Sequence, residues 1–221
     1  MTNLSGRRVQ AARNDGVILA AARDVFLEDP KAPIAAVAER AGVGISALYR
    51  RYKGKDDLLR TLCHDGLRTF VAEAEAAAEE PDGWAALVRF LRGVVEADVH
   101  SLTVHLAGTF TSTPEMRADA VLAGALAGDL VRRAHEDGGL RPDVVVADVT
   151  LILEGCAAIR VPDRDRTAEL RRRHLALLLD GMRVPDAADL RSVLPGPPPD
   201  AAELNWRWAQ SRQPAQRDAT E

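Results

Sequence analysis

The side chains best suited to chemistry in this 221-residue chain are concentrated in residues 45–55. Their sequence, ISALYRRYKGK, combines a hydroxyl, two phenols, two guanidinium groups and two ammonium groups. Hydroxyl and phenol groups hydrogen-bond to base edges, while guanidinium and ammonium groups bind phosphate. The segment therefore predicts a surface that binds nucleic acid.

Two short helices are predicted to position this segment. The first carries one apolar stripe, formed by Ile34, Val37, Ala38 and Ala41. Gly42 permits the left-handed backbone that ends a helix, and Val43 places an apolar side chain in the elbow. A second helix follows at once, so residues 33–52 have the pattern of a helix-turn-helix.

The second helix is predicted to enter the major groove of DNA. Ile45 and Ser46 lie on its first turn, where Ser can hydrogen-bond to a base and Ile can contact a thymine methyl. Tyr49 and Arg50 continue this face, and each can contact either a base edge or the phosphate backbone. The remaining cations are predicted to bind phosphates: Arg51, Lys53 and Lys55.

Charge is unevenly distributed along the chain. The formal net charge is −4, but residues 1–60 carry 11 Lys and Arg against 7 Asp and Glu, whereas the remainder carries 18 against 26. We call residues 1–60 the head and the remainder the body, so that a basic head precedes an acidic body. The negative net charge argues against a protein that binds polyanions in general. It is compatible with DNA binding, because only the head needs to approach phosphate.

Composition predicts an all-α protein. Hydrophobic residues make up 47% of the chain and aromatic residues only 4%, so the core must be built largely from Ala, Leu and Val. No apolar run is long enough to span a membrane, and the N-terminus has no apolar signal region, so we expect a cytoplasmic protein. Cys63 and Cys156 are predicted to be buried thiols.

No enzyme motif is visible in the sequence. A Gly-rich phosphate loop, a paired Cys and His, and a Ser-containing elbow are all missing. His100 and His105 are five residues apart, which does not place them on one helical face, so no metal site is predicted. We therefore expect neither catalysis nor a cofactor.

Breaks in the apolar pattern divide the chain into nine predicted helices. The first is expected over 15–28, the fourth from about 56 to 80, and a stretch over 84–110 is expected to split near 100–103. Ser112 is predicted to cap a helix ending near 136, and Asp143 one over 144–159. The last is expected over 167–182, with Arg171 to Arg173 on a solvated edge.

The N-terminal third of the sequence resembles the TetR family of transcriptional regulators. The residues that carry the resemblance are Ile18 to Ala22 and Phe26 in the first helix, Val37 to Val43 in the second helix and turn, Leu48, Tyr49 and Tyr52 in the third, and Lys55, Leu58 and Leu59 after it. The resemblance implies that Tyr49 and the first-turn residues contact DNA and that Lys55 holds a phosphate.

Three positions depart from the family pattern. Pro33 stands where a hydroxyl residue often caps the second helix, Gly44 where a small polar residue caps the third, and Ala47 where a Ser or Thr precedes the Leu-Tyr pair. Because these hydroxyl groups are missing, the predicted binding to DNA depends more heavily on Tyr49 and the Arg50-Arg51 pair.

The resemblance implies a domain order and partners. Residues 1–60 would form the DNA-binding domain, 61–185 a ligand-binding and dimerisation domain joined by a long fourth helix, and 186–221 a tail. The body, through GGLRPDV and ADVTLILEG, resembles an actinobacterial subgroup. Helices 4 to 7 would enclose an effector pocket, and helices 8 and 9 would pair with a second copy.

Eight residues are candidates for the lining of the effector pocket, although each has the alternative of being an ordinary core residue. They are Phe70, Trp84, Phe90, His105, Phe110, Met116, Leu126 and Glu154. Trp206 and Trp208 form a further candidate docking element in the tail.

Together these features predict a homodimeric repressor that binds a palindromic operator and is released by a small-molecule effector. Ligand binding would change the separation of the two heads and spoil their match to successive major grooves. The alternatives are an activator of the same fold and an architectural DNA-binding protein without ligand control. The sequence does not identify the effector, the operator or the regulated genes.

Overall fold

The computed structural model describes residues 3–106 and 108–184, with side chains described from residue 15 onward except at 103 and 104. These residues form nine helices. Their bounds are α1 Asn3–Glu28, α2 Ile34–Arg40, α3 Ile45–Arg51, α4 Lys55–Ala78, α5 Gly83–Glu96, α6 Val99–Leu106, α7 Pro114–Glu136, α8 Val146–Ala158 and α9 Arg164–Met182. The predicted all-α class is confirmed. Trp206 and Trp208 lie outside the described residues.

The head is built on the apolar stripe of α1. Phe26 is fully buried, as are Val37 of α2, Leu48 of α3 and Leu58 at the start of α4. Because apolar residues three and four positions apart share one face of a helix, each short helix can bury one side against α1. The packing fixes α3 at the surface of the head.

The core of the head continues into the body. Leu102 and Leu106 of α6, together with Phe110 and Met116, belong to the same buried cluster as the apolar residues of α1 to α3. A domain boundary at residue 60 therefore stays a prediction, because this apolar contact crosses it.

The body has a second core, centred on α5 and its neighbours. Leu87, Phe90 and Leu91 of α5 are fully buried and pack with Leu130 of α7 and Leu153 of α8. Small residues allow close approach: a Cβ on Gly83 would lie 2.5 Å from the backbone of Arg133 in α7. The N-terminus of α5 can therefore lie directly against α7.

Helices α8 and α9 complete the body and leave apolar side chains exposed. Leu151 of α8 is 43% exposed and Leu177 of α9 is 62% exposed. His174 of α9 packs beside Gly155 of α8. Each of these two helices therefore exposes one large apolar side chain.

Several predicted helix boundaries were wrong. Helix α1 begins at Asn3 rather than near residue 15, because the residues before Asp15 are mostly good helix formers. The break between α5 and α6 lies at Ala97 and Asp98 instead of 100–103, where residue 98 has a positive φ of 51°. Nothing in the local composition marks that turn.

The predicted caps also need correction. Thr113, not Ser112, caps α7, since its hydroxyl accepts the Met116 N–H at 3.2 Å. Helix α9 begins at Arg164, three residues earlier than predicted, because Asp163 accepts the Arg166 N–H at 2.9 Å.

Asp143 does not cap α8. Its carboxylate binds the Arg141 guanidinium at 2.8 Å and 3.0 Å, and α8 starts later, at Val146. Arg171 was also predicted wrongly, because it is only 7% exposed and is not part of a solvated edge.

Candidate DNA interface

The turn between α2 and α3 has the geometry that the sequence predicts. Gly42 has a φ of 65°, in the left-handed region that favours glycine. The Gly42 N–H donates to the Glu39 carbonyl at 3.1 Å, and the Val43 N–H donates to the Ala38 carbonyl at 3.0 Å. These bonds end α2 and redirect the chain into α3, which confirms the helix-turn-helix.

Both helices lack side-chain caps at their N-termini. Pro33 and Gly44 occupy the N-cap positions of α2 and α3, and neither accepts a hydrogen bond through its side chain. The Gly44 carbonyl instead accepts the Leu48 N–H at 3.2 Å. Helix α3 is therefore held in place by packing, and its exposed edge carries no capping hydroxyl.

Helix α3 presents one face to the core and the opposite face to solvent. Leu48 is fully buried, and Tyr52, just past the helix, is 5% exposed. On the other side Tyr49 is 52% exposed and Ile45 is 40% exposed, with Ser46 and Arg50 also exposed. This outward face combines an apolar group, a hydroxyl, a phenol and a guanidinium.

Arg51 lies beside this face but is already paired. Its guanidinium forms an ion pair with the Asp15 carboxylate of α1. The guanidinium is 55% exposed, so the pair lies in water and is weak. Binding to phosphate would require Arg51 to exchange one anion for another, and this role stays a prediction.

Lys53 and Lys55 differ in their surroundings. Lys53 is exposed, and its backbone N–H donates to the Asp57 carboxylate at 3.0 Å. Lys55 is half-buried, and its Nζ donates to the carbonyls of Pro30 and Ala32, each at 2.8 Å. That nitrogen also lies 5.1 Å from the ring centroid of Phe26.

Lys55 thus ties the connector between α1 and α2 to the start of α4. Burial lowers the pKa of its ammonium group, while Asp29 acts in the opposite direction. The phosphate contact predicted for this side chain stays a prediction, but two of its three N–H groups already have acceptors. Sequence spacing alone cannot distinguish it from Lys53, because both are basic residues after the same helix.

The candidate pocket residues divide between the two cores. Phe90 is fully buried in the body, and the Phe70 ring meets it edge to face at 5.0 Å. Trp84 and Leu126 pack at the margin of the same core. Phe110 and Met116 instead belong to the cluster shared with the head. The candidates thus belong to two apolar clusters, and their role as the lining of one pocket stays a prediction.

The two polar candidates lie on α6 and α8. His105 of α6 is half-buried, with its Nδ1 2.8 Å from the Ser101 carbonyl oxygen, and Glu154 is half-buried on α8. A groove of about 510 Å³ lies between α5 and α9, with Val95 and Leu175 in its wall and charged residues at its rim. None of the eight candidate residues lines this groove.

His100, at the start of α6, is a half-buried polar residue outside the set of predicted pocket residues. Burial lowers the pKa of its imidazole to about 4, against a smaller opposing effect of Asp98. Its Nε2 atom is inaccessible to solvent and has no hydrogen-bond partner among the described residues. A ring nitrogen that solvent cannot reach and that has no hydrogen-bond partner is unusual in a folded protein.

A helix-turn-helix with a solvent-facing Ser, Tyr and Arg, joined by the long helix α4 to a helical body, has the architecture of a DNA-binding protein. Comparison with known families agrees. Residues 18–62 match the model of bacterial regulatory proteins of the tetR family, and residues 82–184 match the model of the C-terminal domain of SbtR-like transcriptional regulators.

Solved structures of transcriptional regulators share the fold of this chain. The TetR transcription regulatory protein from Mycobacterium vanbaalenii is 26% identical, covers 80% of this chain and 99% of its own, and superimposes with a TM-score of 0.54. LfrR from Mycobacterium smegmatis, solved with proflavine, is 24% identical over 74% of this chain and 95% of its own, with a TM-score of 0.54.

A third structure shares the fold at lower identity. The ketosteroid transcriptional regulator KstR2 of Mycobacterium tuberculosis is 19% identical over 77% of this chain and 95% of its own, with a TM-score of 0.59. No curated protein matched the chain. The chain belongs to the TetR family of bacterial transcriptional regulators, which act by binding DNA and not as enzymes.

The described part of the chain contains no helix that is both long enough and apolar enough to cross a membrane.

Proposed function

We propose that this protein is a homodimeric, effector-controlled repressor that binds a palindromic operator. The observation that carries the proposal is the outward face of α3, where Ile45, Ser46, Tyr49 and Arg50 are exposed together. Side chains at these positions can reach base edges when the helix lies in the major groove. The protein would act in the cytoplasm, where the operator is.

The exposed leucines of α8 and α9 support the dimer. Leu151 and Leu177 are large side chains that a monomer would leave in water, and His174 and Gly155 lie between these two helices. A two-fold pairing of α8 and α9 would bury both leucines in a four-helix bundle. Two heads related by this symmetry require a palindromic DNA site.

An apolar small molecule is the effector class that the body favours. Phe70 is half-buried and meets the Phe90 ring edge to face, so it offers aromatic surface at the margin of the body core, and the unpaired Nε2 of His100 offers one hydrogen bond. The family relative LfrR has been solved with proflavine, and KstR2 is described as a ketosteroid regulator. Both names refer to small organic molecules, and we propose that the effector of this chain is one as well.

The experiment is a gel shift with the promoter next to the gene that encodes the protein. Combined Tyr49→Ala and Arg50→Ala substitutions should abolish the sequence-specific complex, because they remove two base-facing groups and one cation. Arg89→Ala removes an exposed guanidinium from α5 and is the control for lost charge. Its complex should be unchanged.

Full, sequence-selective binding by the double variant would overturn the assignment of the interface. Binding by the wild type without sequence preference would instead favour an architectural protein. An increase of transcription from the bound promoter, measured with a reporter gene, would favour an activator over a repressor.

A further inference from the structure

Asp98, in the turn between α5 and α6, has an unusual backbone. Its φ of 51° is the one positive value among the described non-glycine residues. It directly follows Ala97, the C-cap of α5, at the position where helices commonly end in glycine. An Asp in this conformation is less favourable than Gly, so its side chain must contribute something that glycine lacks.

The carboxylate of Asp98 binds groups from three helices. The Arg171 guanidinium of α9 and the Ser101 hydroxyl of α6 both donate to its Oδ1. The Arg23 guanidinium of α1 lies 2.6 Å from its Oδ2 and also donates to the Asp98 carbonyl. One residue therefore joins α1 of the head to α9 of the body.

Arg171 fixes this carboxylate on the side of the body. The Arg171 side chain is 8% exposed, and its Nε donates to the Ile159 carbonyl at 3.0 Å. Its Nη2 donates to the Ala157 carbonyl at 3.2 Å. Because the end of α8 also holds this guanidinium, Asp98 is anchored to both C-terminal helices.

Further contacts link α1 to the connector between α8 and α9 and to the first residue of α9. The Arg160 guanidinium donates to the Leu27 carbonyl, and Arg164 forms an ion pair with Asp24. Arg164 is 73% exposed, so that pair is screened by water and contributes little. Among these contacts, the Asp98 contact alone includes a buried guanidinium.

We propose that Asp98 is a positioning residue for DNA binding. By holding Arg23 and Arg171 on one carboxylate, it fixes the orientation of the head relative to α9, and so sets the separation of the two recognition helices in a dimer. The inference rests on the proposed pairing through α8 and α9. The role of Asp98 differs from that of the α3 side chains in the major groove, because Asp98 acts through other residues and does not touch DNA.

The test uses Asp98→Asn in the full chain, because Asn tolerates a positive φ and keeps the shape of the side chain while removing its charge. Binding is measured on a series of operators whose half-sites are moved apart or together by one and two base pairs. We expect a loss of about two- to thirtyfold on the preferred spacing, within the range of couplings measured through such networks. The loss should be smaller on the other spacings, because a loosely held head is less selective for separation.

Glu169→Gln is the matched control. It makes the same change from carboxylate to amide on α9, but Glu169 pairs with Arg166 at 2.8 Å on the surface and not with α1. Its spacing profile should equal that of the wild type. Arg23→Gln removes the partner of Asp98 on the head and should reproduce the flattened profile even if Asp98→Asn folds poorly.

A wild-type spacing profile in both Asp98→Asn and Arg23→Gln would overturn the inference. A uniform loss on all spacings that follows the loss of thermal stability would also overturn it, because a purely structural role predicts that result. Light scattering on the wild type distinguishes a failure of this inference from a failure of the proposed function. A monomeric wild type would refute the dimer, whereas a dimer with unchanged variants would refute only the role of Asp98.

Discussion

Lys53 and Lys55 are two residues apart in sequence but have different tasks in the structure. Lys53 extends into solvent next to the exposed face of α3, whereas the ammonium group of Lys55 has two carbonyl acceptors and an aromatic ring beside it. A cation that binds phosphate should affect the salt dependence of DNA binding. A cation held by carbonyls should affect the stability of the head.

Lys53→Ala should lower the slope of log affinity against log salt by about 0.9 for each head, because one released counterion is lost. Lys55→Ala should leave that slope nearly unchanged and lower the free energy of unfolding by about 1–2 kcal/mol, since two charge-assisted hydrogen bonds disappear. Operator titrations at several salt concentrations and urea unfolding measure the two effects. The interpretation fails if Lys55→Ala changes the slope and Lys53→Ala does not.

The sequence predicts residue types more readily than their partners. The outward positions of Tyr49 and Arg50 follow from the helical period, because Leu48 and Tyr52 fill the opposite face. The pairing of Arg51 with Asp15 joins residues 36 positions apart, and no local pattern contains it. The burial of Arg171 is likewise contained in no local pattern, because its acceptors come from the turn before α6 and the end of α8.

Among the helices, Gly83 of α5 and Gly124 of α7 affect stability in opposite ways. Gly83 begins α5, where an added Cβ would lie 2.5 Å from the backbone of Arg133. Gly124 is exposed in the middle of α7, where an added Cβ would meet nothing within 4 Å. One glycine is required by close packing, and the other only weakens its helix.

Gly83→Ala should lower the free energy of unfolding by about 1–3 kcal/mol, because α5 must move away from α7. Gly124→Ala should raise it by about 0.5–1 kcal/mol, since Ala restricts the unfolded chain and favours helix. Both are measured by denaturant unfolding. Equal effects from the two substitutions would show that the close approach of α5 and α7 does not contribute to stability.

Helix bounds could be predicted where the sequence contains a strong break. Helices α2 and α3 were placed within two residues, because Pro33 and Gly42 mark their ends, and the bounds of α7 follow from Pro114 and Gly138. The turn at Asp98 was misplaced, because its neighbours favour helix and the contacts that stabilise it come from distant residues. Tertiary hydrogen bonds decide that break.

At the scale of the whole molecule, the exposed leucines of α8 and α9 determine the expected assembly. Fully burying an exposed leucine contributes about 1.5–3 kcal/mol. Leu177 is 62% exposed, so a two-fold interface gains at most about two-thirds of twice that amount from its two copies. Val121 of α7 is even more exposed, at 74%, but lies on a different helix. The two positions provide a matched pair for testing the interface.

Leu177→Glu should convert the dimer into a monomer at micromolar concentration, because two charges would face each other in an apolar interface. Val121→Glu introduces the same charge and should remain dimeric. Light scattering at several protein concentrations gives the molecular mass. If Val121→Glu dissociates the dimer and Leu177→Glu does not, the interface lies on α7 and not on α8 and α9.

The apolar contact between the head and α6 has a consequence for how such proteins can be recombined. Leu102 and Leu106 complete a core that is otherwise built mainly from α1 to α4, with Phe110 and Met116 beside them. A chimaera that joins residues 1–60 to the sensor of another regulator would lose these two side chains unless the new sensor supplied equivalents. The smallest exchangeable unit is therefore the head together with the face of α6 that closes it.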